Sequence, residues 1–307
     1  MNGLTSSTAS FSQAFSLHPQ RKVSASVGTI QLLDSGPFIC AERVHDDMTG
    51  DLQTVMNGMS EFVRSVSRSG PDDVALMKGH LRISRDDLAA AKVLYKKHLY
   101  SSAVYHLQQS VEKATKAFCI GTGLVSASEA KSIGHNPLEG HFLYASRLSS
   151  FIPELGKIDP RCNVDLAKIG EVEEKGLEIA RLDRNAINSL LASYDAVDKS
   201  MDYMLSQVAN WVNSQTTRAS KGQAASKRPY SGDDVGRTIA QRIQLSRNIP
   251  FLFLASALTF PHEEFTRYPD GKIKPWDYGK SMGIIACMPE LIRRMDKTLR
   301  ALESMPK

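Results

Sequence analysis

Between residues 74 and 118, hydrophobic and polar positions repeat with the period of an α-helix. Apolar or small side chains recur in steps of three and four, which places them on one helical face. The first run consists of Val74, Met77, Leu81, Ser84, Leu88, Ala91 and Tyr95, and the second of Tyr100, Val104, Leu107, Val111, Ala114 and Phe118. The pattern predicts two long amphipathic helices, and so short a connection requires them to lie antiparallel.

Proline and aspartate residues mark the predicted start of the first helix, and glycines mark the predicted end of the second. Pro71 and the two aspartates after it favour a helix start, because proline fits the first turn and acids suit the positive end of the helix dipole. We expect this helix to end near His98. Gly121 and Gly123 should end the second helix, since glycine tolerates the left-handed conformation of a helix terminus.

The pattern after the helical pair is less regular. Residues 125–136 are predicted to be a polar loop, after which Asn136 caps a short helix that begins at Pro137 and ends before Pro153. Residues 165–212 again show helical periodicity.

The C-terminal part is also predicted to be helical. Residues 235–258 should form one or two helices interrupted at Pro250, residues 261–275 a compact loop, and Pro275 should begin the last helix. No stretch alternates with the period of two that a half-buried strand requires. The predicted fold class is therefore all-α.

The N-terminal part differs in composition from the rest. Residues 1–33 contain no acidic residue and are rich in serine and threonine, so we predict a disordered leader over residues 1–36. An organellar transit peptide is the alternative, although such peptides are richer in arginine. Apolar residues at steps of three and four then predict an accessory helix within residues 37–70.

Composition excludes several protein classes. Of 307 residues, 42% are hydrophobic and 23% charged, as in ordinary globular proteins, and the net charge of +5 permits a nucleic-acid partner without requiring one. The four cysteines are far apart, which favours a reducing, cytoplasmic compartment. The apolar run over residues 249–260 is too short to cross a membrane and is predicted to be a buried core helix. No phosphate-binding glycine loop is present, and no cofactor is expected.

Three stretches resemble the HEPN family, named for higher-eukaryote and prokaryote nucleotide-binding domains. They are DLAAAKVLYKKHLYSSAVYHLQQSVEKATKAF in the helical pair, GHNPLEG before the next helix, and TRYPD near the last one. The resemblance is strongest over residues 81–150, with a weaker echo over 262–305. It implies an all-α, up-and-down bundle that is usually dimeric and acts in toxin–antitoxin, defence or RNA-processing systems.

The resemblance also implies a domain organisation and partners. A HEPN-like domain would occupy residues 71–307, with an insertion around 155–235 that the resemblance does not explain. Within it, the composition of residues 214–232, with four positive charges and no acid, predicts a mobile basic linker. The partners implied are RNA or a nucleotide, a nucleotidyltransferase-like antitoxin, and a second copy of the chain.

Catalytic HEPN members carry an arginine followed by a histidine four to six residues later. The histidine moves a proton and the arginine stabilises the charged phosphate in the transition state. No arginine here has a histidine at that spacing; Arg184 resembles the first half, but Ser189, Leu190 and Leu191 stand where the histidine belongs. Arg184 and His135 remain the catalytic candidates, and ribonuclease activity by the usual route is not expected.

The binding candidates form two groups. The stripe on the second helix holds Tyr105, Gln109, Glu112, Lys113 and Lys116, whose lysines could bind phosphate. The alternative is a solvated face with an ordinary pair of Glu112 and Lys116. Arg267 and Tyr268 could clamp or stack on a nucleotide; alternatively they pack the final loop onto the bundle.

Three functional hypotheses follow. The first is a HEPN-like protein that binds RNA, a nucleotide or a cognate protein. The second is a divergent metal-independent ribonuclease, in which the fold or a dimer partner brings His106, His135 or His262 near Arg184. The third is a structural helical dimer. A metal site at His262 is not expected, because no second histidine lies at helical spacing from it or from the two adjacent glutamates.

Overall fold

The computed structural model describes residues 71–151, 175–195 and 248–304, and every structural statement below concerns these residues. Their secondary structure is helical and contains no strand, which confirms the predicted all-α class. The predicted leader, the accessory helix and the linker over 214–232 lie outside the described residues.

The first two helices form the predicted antiparallel pair. Helix α1 spans Pro71–Lys96 and α2 spans Tyr100–Thr122. The chain reverses at His98, whose φ of 60° is in the left-handed region, and Gly123 ends α2 with a φ of 70°. Where the helices pack, the Ser84 hydroxyl donates to the Ser110 carbonyl at 2.7 Å, and the Ser110 hydroxyl donates to the Ser84 carbonyl at 2.8 Å.

A short helix replaces the polar loop predicted over 125–136. Helix α3 spans Ala127–Ser132 and begins with a capping box, in which the Glu129 amide donates to the Ser126 hydroxyl at 3.3 Å and the Ser126 amide donates to the Glu129 carboxylate at 2.9 Å. Helix α4 then spans Pro137–Phe151, and the Leu138 amide donates to Asn136 Oδ1 at 3.1 Å, as predicted.

The helical pattern predicted over 165–212 is interrupted where the structure describes it. Helix α5 spans Gly176–Ala180, residues 181–183 are not helical, and α6 covers residues 184–195. Helix α7 spans Ile249–Thr259 with Pro250 in its first turn, where proline is favoured. The part of the predicted 235–258 helix that precedes Asn248 lies outside the described residues.

Two predictions for the C-terminal part were wrong. The expected loop over 261–275 contains helix α8, which spans His262–Arg267, and Pro275 begins only the 3-10 helix Pro275–Asp277. The last helix, α9, spans Gly283–Glu303. The chain leaves the helical path at Tyr278, whose φ of −70° and ψ of 104° are extended, and the Tyr278 hydroxyl forms a hydrogen bond with His262 Nδ1 at 2.7 Å.

Helix α2 is the centre of the bundle. It packs against α1, α3, α4, α7, α8 and α9. Helix α7 is buried from Phe251 to Thr259, which confirms that the long apolar run is a core helix. Ion pairs fasten the outer helices: Arg85 of α1 pairs with Asp296 and Glu303 of α9. None of the described helices is both long and apolar enough to cross a membrane.

Candidate functional site

The polar stripe of α2 is organised around one buried carboxylate. Glu112 has no solvent exposure, and its Oε1 accepts hydrogen bonds from Lys113 Nζ at 2.6 Å and Lys116 Nζ at 2.9 Å. His135, in the connection before α4, places Nδ1 3.2 Å from Glu112 Oε2. We call Glu112, Lys113, Lys116, His135 and the nearby His80 the Glu112 cluster.

Glu112 is ionised in this setting. Burial acts to raise its pKa, but the hydrogen bonds and charges of Lys113 and Lys116 outweigh burial, and the pKa lies below its ordinary value. Two ammonium groups and one carboxylate leave one net positive charge. Lys116 also donates to the Gly134 carbonyl, so the same side chain fastens the connection between α3 and α4 to α2.

His80 of α1 borders the cluster and was not predicted from the sequence. Its Nδ1 is buried and has no hydrogen-bond partner in the described part of the chain. Burial, followed by the positive charges of Lys116 and Lys113, lowers its pKa, so the ring is neutral near pH 7. Its position beside the apolar stripe of α1 carries no signal of its own, because only the packing of α1 on α2 brings it to the lysines.

The second predicted group also comes together in space. The Arg267 guanidinium lies 5.8 Å from the centroid of the Tyr105 ring on α2 and 5.3 Å from that of Tyr268. Arg267 pairs in addition with Glu263, one turn earlier on α8, at 3.3 Å. These distances are within the range of cation–π interaction. The Tyr105 end of the stripe therefore meets α8.

Gln109 lies between the two groups. Its Nε2 donates to Gln108 Oε1 at 2.6 Å. Gln108 is fully buried, and its own Nε2 has no partner among the described residues. A buried amide without a partner is uncommon, because burying the group unpaired has a free-energy cost.

The histidines considered for a divergent ribonuclease each have a partner other than Arg184. His106 Nδ1 lies 2.9 Å from Asp87 Oδ1, and His135 contacts Glu112. His262 is buried against Tyr278, and burial lowers its pKa to about 3. Arg184 is exposed at the start of α6, where its carbonyl accepts a hydrogen bond from the Cys287 thiol at 3.7 Å.

No group of three or more potential metal ligands occurs among histidine, cysteine, aspartate and glutamate side chains within the described ranges. His262 uses Nδ1 in its contact with Tyr278 rather than approaching a second ligand.

A further aromatic group was missed in the sequence. Lys274 Nζ lies 5.5 Å from the centroid of the Trp276 ring, on the 3-10 helix that contacts α8. The signal available was a tryptophan within a short polar segment, KIKPWD, where an apolar core position was not expected.

The sequence that matches known proteins covers most of the α1–α2 pair and α3. Residues 77–134 match the HEPN domain. This match confirms the resemblance seen in the sequence. It includes His80, Glu112, Lys113 and Lys116 of the Glu112 cluster, while Arg267 and Tyr268 lie outside it.

A curated relative matches within the chain as well. A Methanocaldococcus jannaschii protein named "Putative toxin MJ1304" is 42% identical over 53 residues, which are 17% of this chain and 35% of that protein. The match thus spans about a third of the length of this relative. No solved structure matches the chain.

Proposed function

We propose that this HEPN-like protein binds RNA or a nucleotide through the Glu112 cluster, within a toxin–antitoxin system. The observation that carries the proposal is a pair of lysines held by one buried carboxylate. The HEPN match and the name of the Methanocaldococcus relative support the toxin–antitoxin setting. A nucleotidyltransferase-like partner, a homodimer and a cytoplasmic location remain predictions.

Pre-positioned lysines suit phosphate recognition. A free lysine loses rotamer freedom when it binds, whereas Lys113 and Lys116 lose it on folding because Glu112 already holds both ammonium groups. The remaining positive charge has a low-dielectric surrounding, which strengthens its attraction to a phosphate. His135, with 64% of its side chain exposed, gives the cluster an edge that solvent reaches.

The geometry of α2 matches a ligand longer than one phosphate. Tyr105 and Lys116 are eleven residues apart on the same helix, or about 16 Å along its axis. Gln109 lies between them, next to the unpaired Nε2 of Gln108. A chain lying along the stripe would meet Arg267 at one end and the lysines at the other.

Replacing Lys113 with glutamine tests this proposal. We expect weaker binding of single-stranded RNA. The slope of log Kd against log salt concentration should fall by about 0.7–1, which is the contribution of one phosphate contact. Binding would be measured by fluorescence anisotropy over a salt series. Lys92→Gln, which removes an exposed lysine of α1, is the matched control and should leave the salt dependence nearly unchanged. Equal behaviour of the two variants would contradict the proposal.

Charge reversal is the wrong variant for this test. Lys113→Glu together with Lys116→Glu would gather three carboxylates around a buried position, and the resulting loss of stability would obscure any effect on binding. A single neutral substitution keeps Lys116 paired with Glu112.

The same protein, incubated with end-labelled RNA, separates binding from cleavage. We expect the RNA to stay full length, because the arginine–histidine spacing of catalytic HEPN members is absent. Cleavage that is lost in Arg184→Ala would instead establish the divergent ribonuclease.

A further inference from the structure

Two aromatic side chains are exposed on the segment that follows α8. Tyr268 is 48% exposed and Trp276 is 68% exposed. The other large hydrophobic side chains with high exposure in the described part of the chain are aliphatic. Tyr268 follows α8, while Trp276 is in the 3-10 helix that packs on α8. Exposing rings of this size to water is unfavourable without a partner.

A cation accompanies each ring. Arg267 lies 5.3 Å from the centroid of Tyr268, and Lys274 Nζ lies 5.5 Å from that of Trp276. We call Arg267, Tyr268, Lys274 and Trp276 the aromatic ledge. Alternating rings and cations are the composition with which proteins bind unpaired nucleotides, the rings stacking on bases and the cations contacting phosphates.

The ledge is held in place by buried contacts. His262 and Tyr278 enclose the segment with a buried hydrogen bond of 2.7 Å, and Ile273 is buried between them along the chain. Around the 3-10 turn, the Lys274 amide donates to Asp277 Oδ2 and the Asp277 amide donates to the Lys274 carbonyl, both at 2.9 Å. Trp276 therefore projects from an ordered turn, which lowers the entropy cost of binding.

Close packing also fixes the turn between the two rings. A methyl group added at Gly271 would lie 3.2 Å from the Phe265 ring and 3.3 Å from the Ile273 carbonyl oxygen. The backbone at Gly271 thus approaches the buried side of α8 closely, and the segment from Tyr268 to Trp276 is seated on that helix.

We propose that the aromatic ledge binds unpaired bases of single-stranded RNA, as an extension of the phosphate-binding Glu112 cluster. This inference rests on the proposed function, since Arg267 also contacts Tyr105 at the start of the α2 stripe. Residues 262–280 contain four acidic and four basic side chains, so charge alone gives this segment little attraction for RNA. Stacking must supply the affinity at the ledge, whereas charge supplies it at the lysines.

This division predicts how the two regions differ. Base stacking requires free base faces, which a duplex does not offer in its interior, so the ledge discriminates between single-stranded and double-stranded RNA. Substitution of a ring removes no charge, so the salt dependence of binding should be unaffected by loss of a ring.

Trp276→Ala and Tyr268→Ala test the ledge in the full-length protein. We expect each to weaken binding of a labelled oligoadenylate by about 5- to 150-fold, the value of one stacked base, with an unchanged salt slope. Trp276→Tyr should retain most of the affinity, because it keeps a ring. Val93→Ala removes an exposed apolar side chain from α1 and should bind as the wild type does. The same strand annealed to its complement should lose little affinity in any of these variants.

A spectroscopic measurement reports on the ring itself. The chain contains two tryptophans, Trp211 and Trp276, so Trp211→Phe leaves Trp276 as the single emitter. Stacking of a base on the ring should quench this emission at saturating oligoadenylate. Unchanged emission at saturation would overturn the proposal.

The outcomes separate the ledge from the proposed function. If the wild type binds RNA and the ring variants bind equally well, the ledge is wrong and the Glu112 cluster stands. If the ring variants lose single-stranded and duplex RNA to the same extent, the single-strand assignment is wrong. If a ring variant binds RNA as the wild type does but no longer binds a protein that the wild type binds, the segment is a protein-binding surface and the ledge proposal is wrong. If the wild type binds no RNA, the proposed function fails, and the ledge with it.

Discussion

Glu112 is the residue on which the candidate site depends. The spacing of four residues predicts that Glu112 pairs with Lys116, as an ordinary ion pair on a solvated helix face. The structure instead buries the carboxylate and adds Lys113 and His135 as partners. A surface pair contributes less than about 1 kcal/mol, whereas a buried carboxylate with two lysines is strongly coupled to folding.

Glu112→Gln should therefore lower the free energy of unfolding by about 3–5 kcal/mol near neutral pH. Glutamine keeps the shape of the side chain but leaves two lysines, one of them largely buried, without a counter-charge. Urea unfolding followed by circular dichroism measures the change. Asp86→Asn, an exposed position in the middle of α1, is the control and should stay within about 0.5 kcal/mol of the wild type.

The loss caused by Glu112→Gln should shrink as the pH falls. The pKa of Glu112 in the folded protein lies below the ordinary value of 4.5, so its contribution is complete above 4.5 and disappears as the pH falls through the folded pKa. At that point the wild-type residue is protonated and resembles glutamine. A difference in stability that stays constant down to this pH would mean that the ion pairs do not stabilise the fold.

At the scale of elements, the first turn of α9 packs closely on the chain between α5 and α6. A methyl group at Gly283 would collide with the Leu182 carbonyl oxygen and lie 2.6 Å from the carbonyl carbon of Asp183. Only a glycine lets the first turn of α9 pack on the chain between α5 and α6. The proline signal at Pro275 indicated a helix start but contained no information about this contact.

Gly283→Ala should cost about 1–3 kcal/mol or more, because the collision is with backbone that cannot move aside. Gly79→Ala is the opposite case: nothing lies within 4 Å of the added methyl group, on the exposed face of α1. That change should stabilise the protein by about 0.5–1 kcal/mol by lowering the entropy of the unfolded chain. Thermal unfolding of both variants checks the prediction, and shifts of the same sign would contradict it.

At the scale of the whole molecule, two buried histidines make stability depend on pH. His141 lies among α2, α4 and α7, with Nε2 3.1 Å from Ser256 Oγ, and His262 contacts Tyr278. Burial lowers the pKa of each to about 3. Both rings stay neutral in the folded protein while the unfolded chain takes up protons below its ordinary pKa of 6.5.

The protein should therefore lose stability on acidification. His262→Gln should make this loss smaller. A histidine with a lowered pKa contributes fully above 6.5 and less as the pH falls toward 3. In that window we expect the variant to have a slope of unfolding free energy against pH that is smaller by about 1.4 kcal/mol per pH unit. Tyr278→Phe is the control: it removes the hydrogen bond, lowers stability at every pH, and keeps the slope.

The helices themselves were largely predictable. Steps of three and four located α1 and α2, and Gly123 and Asn136 marked a helix end and a helix start where the structure has them. Helix α3 was missed although Ser126 and Glu129 have the spacing of a capping box, which marks a helix start in the sequence. The break at residues 181–183 was missed because periodicity continues across it.

The candidate site was predictable only in part. The α2 stripe could be found because its members are neighbours on one helix, whose geometry is local. His80, His135 and Arg267 reach the stripe through the packing of α1, the α3–α4 connection and α8, which no local pattern encodes. Trp276 was missed because exposure of a large ring is a property of the folded surface.

The amino-acid order alone determined which segments are helical and which faces are apolar, since both follow from interactions a few residues apart along the chain. Only the tertiary structure decided that Lys113 and Lys116 are held by a buried Glu112, and that Tyr268 and Trp276 are exposed beside cations. Burial and charge environment depend on which distant residues pack against a side chain. They set the pKa values and the free faces on which the proposed binding of RNA rests.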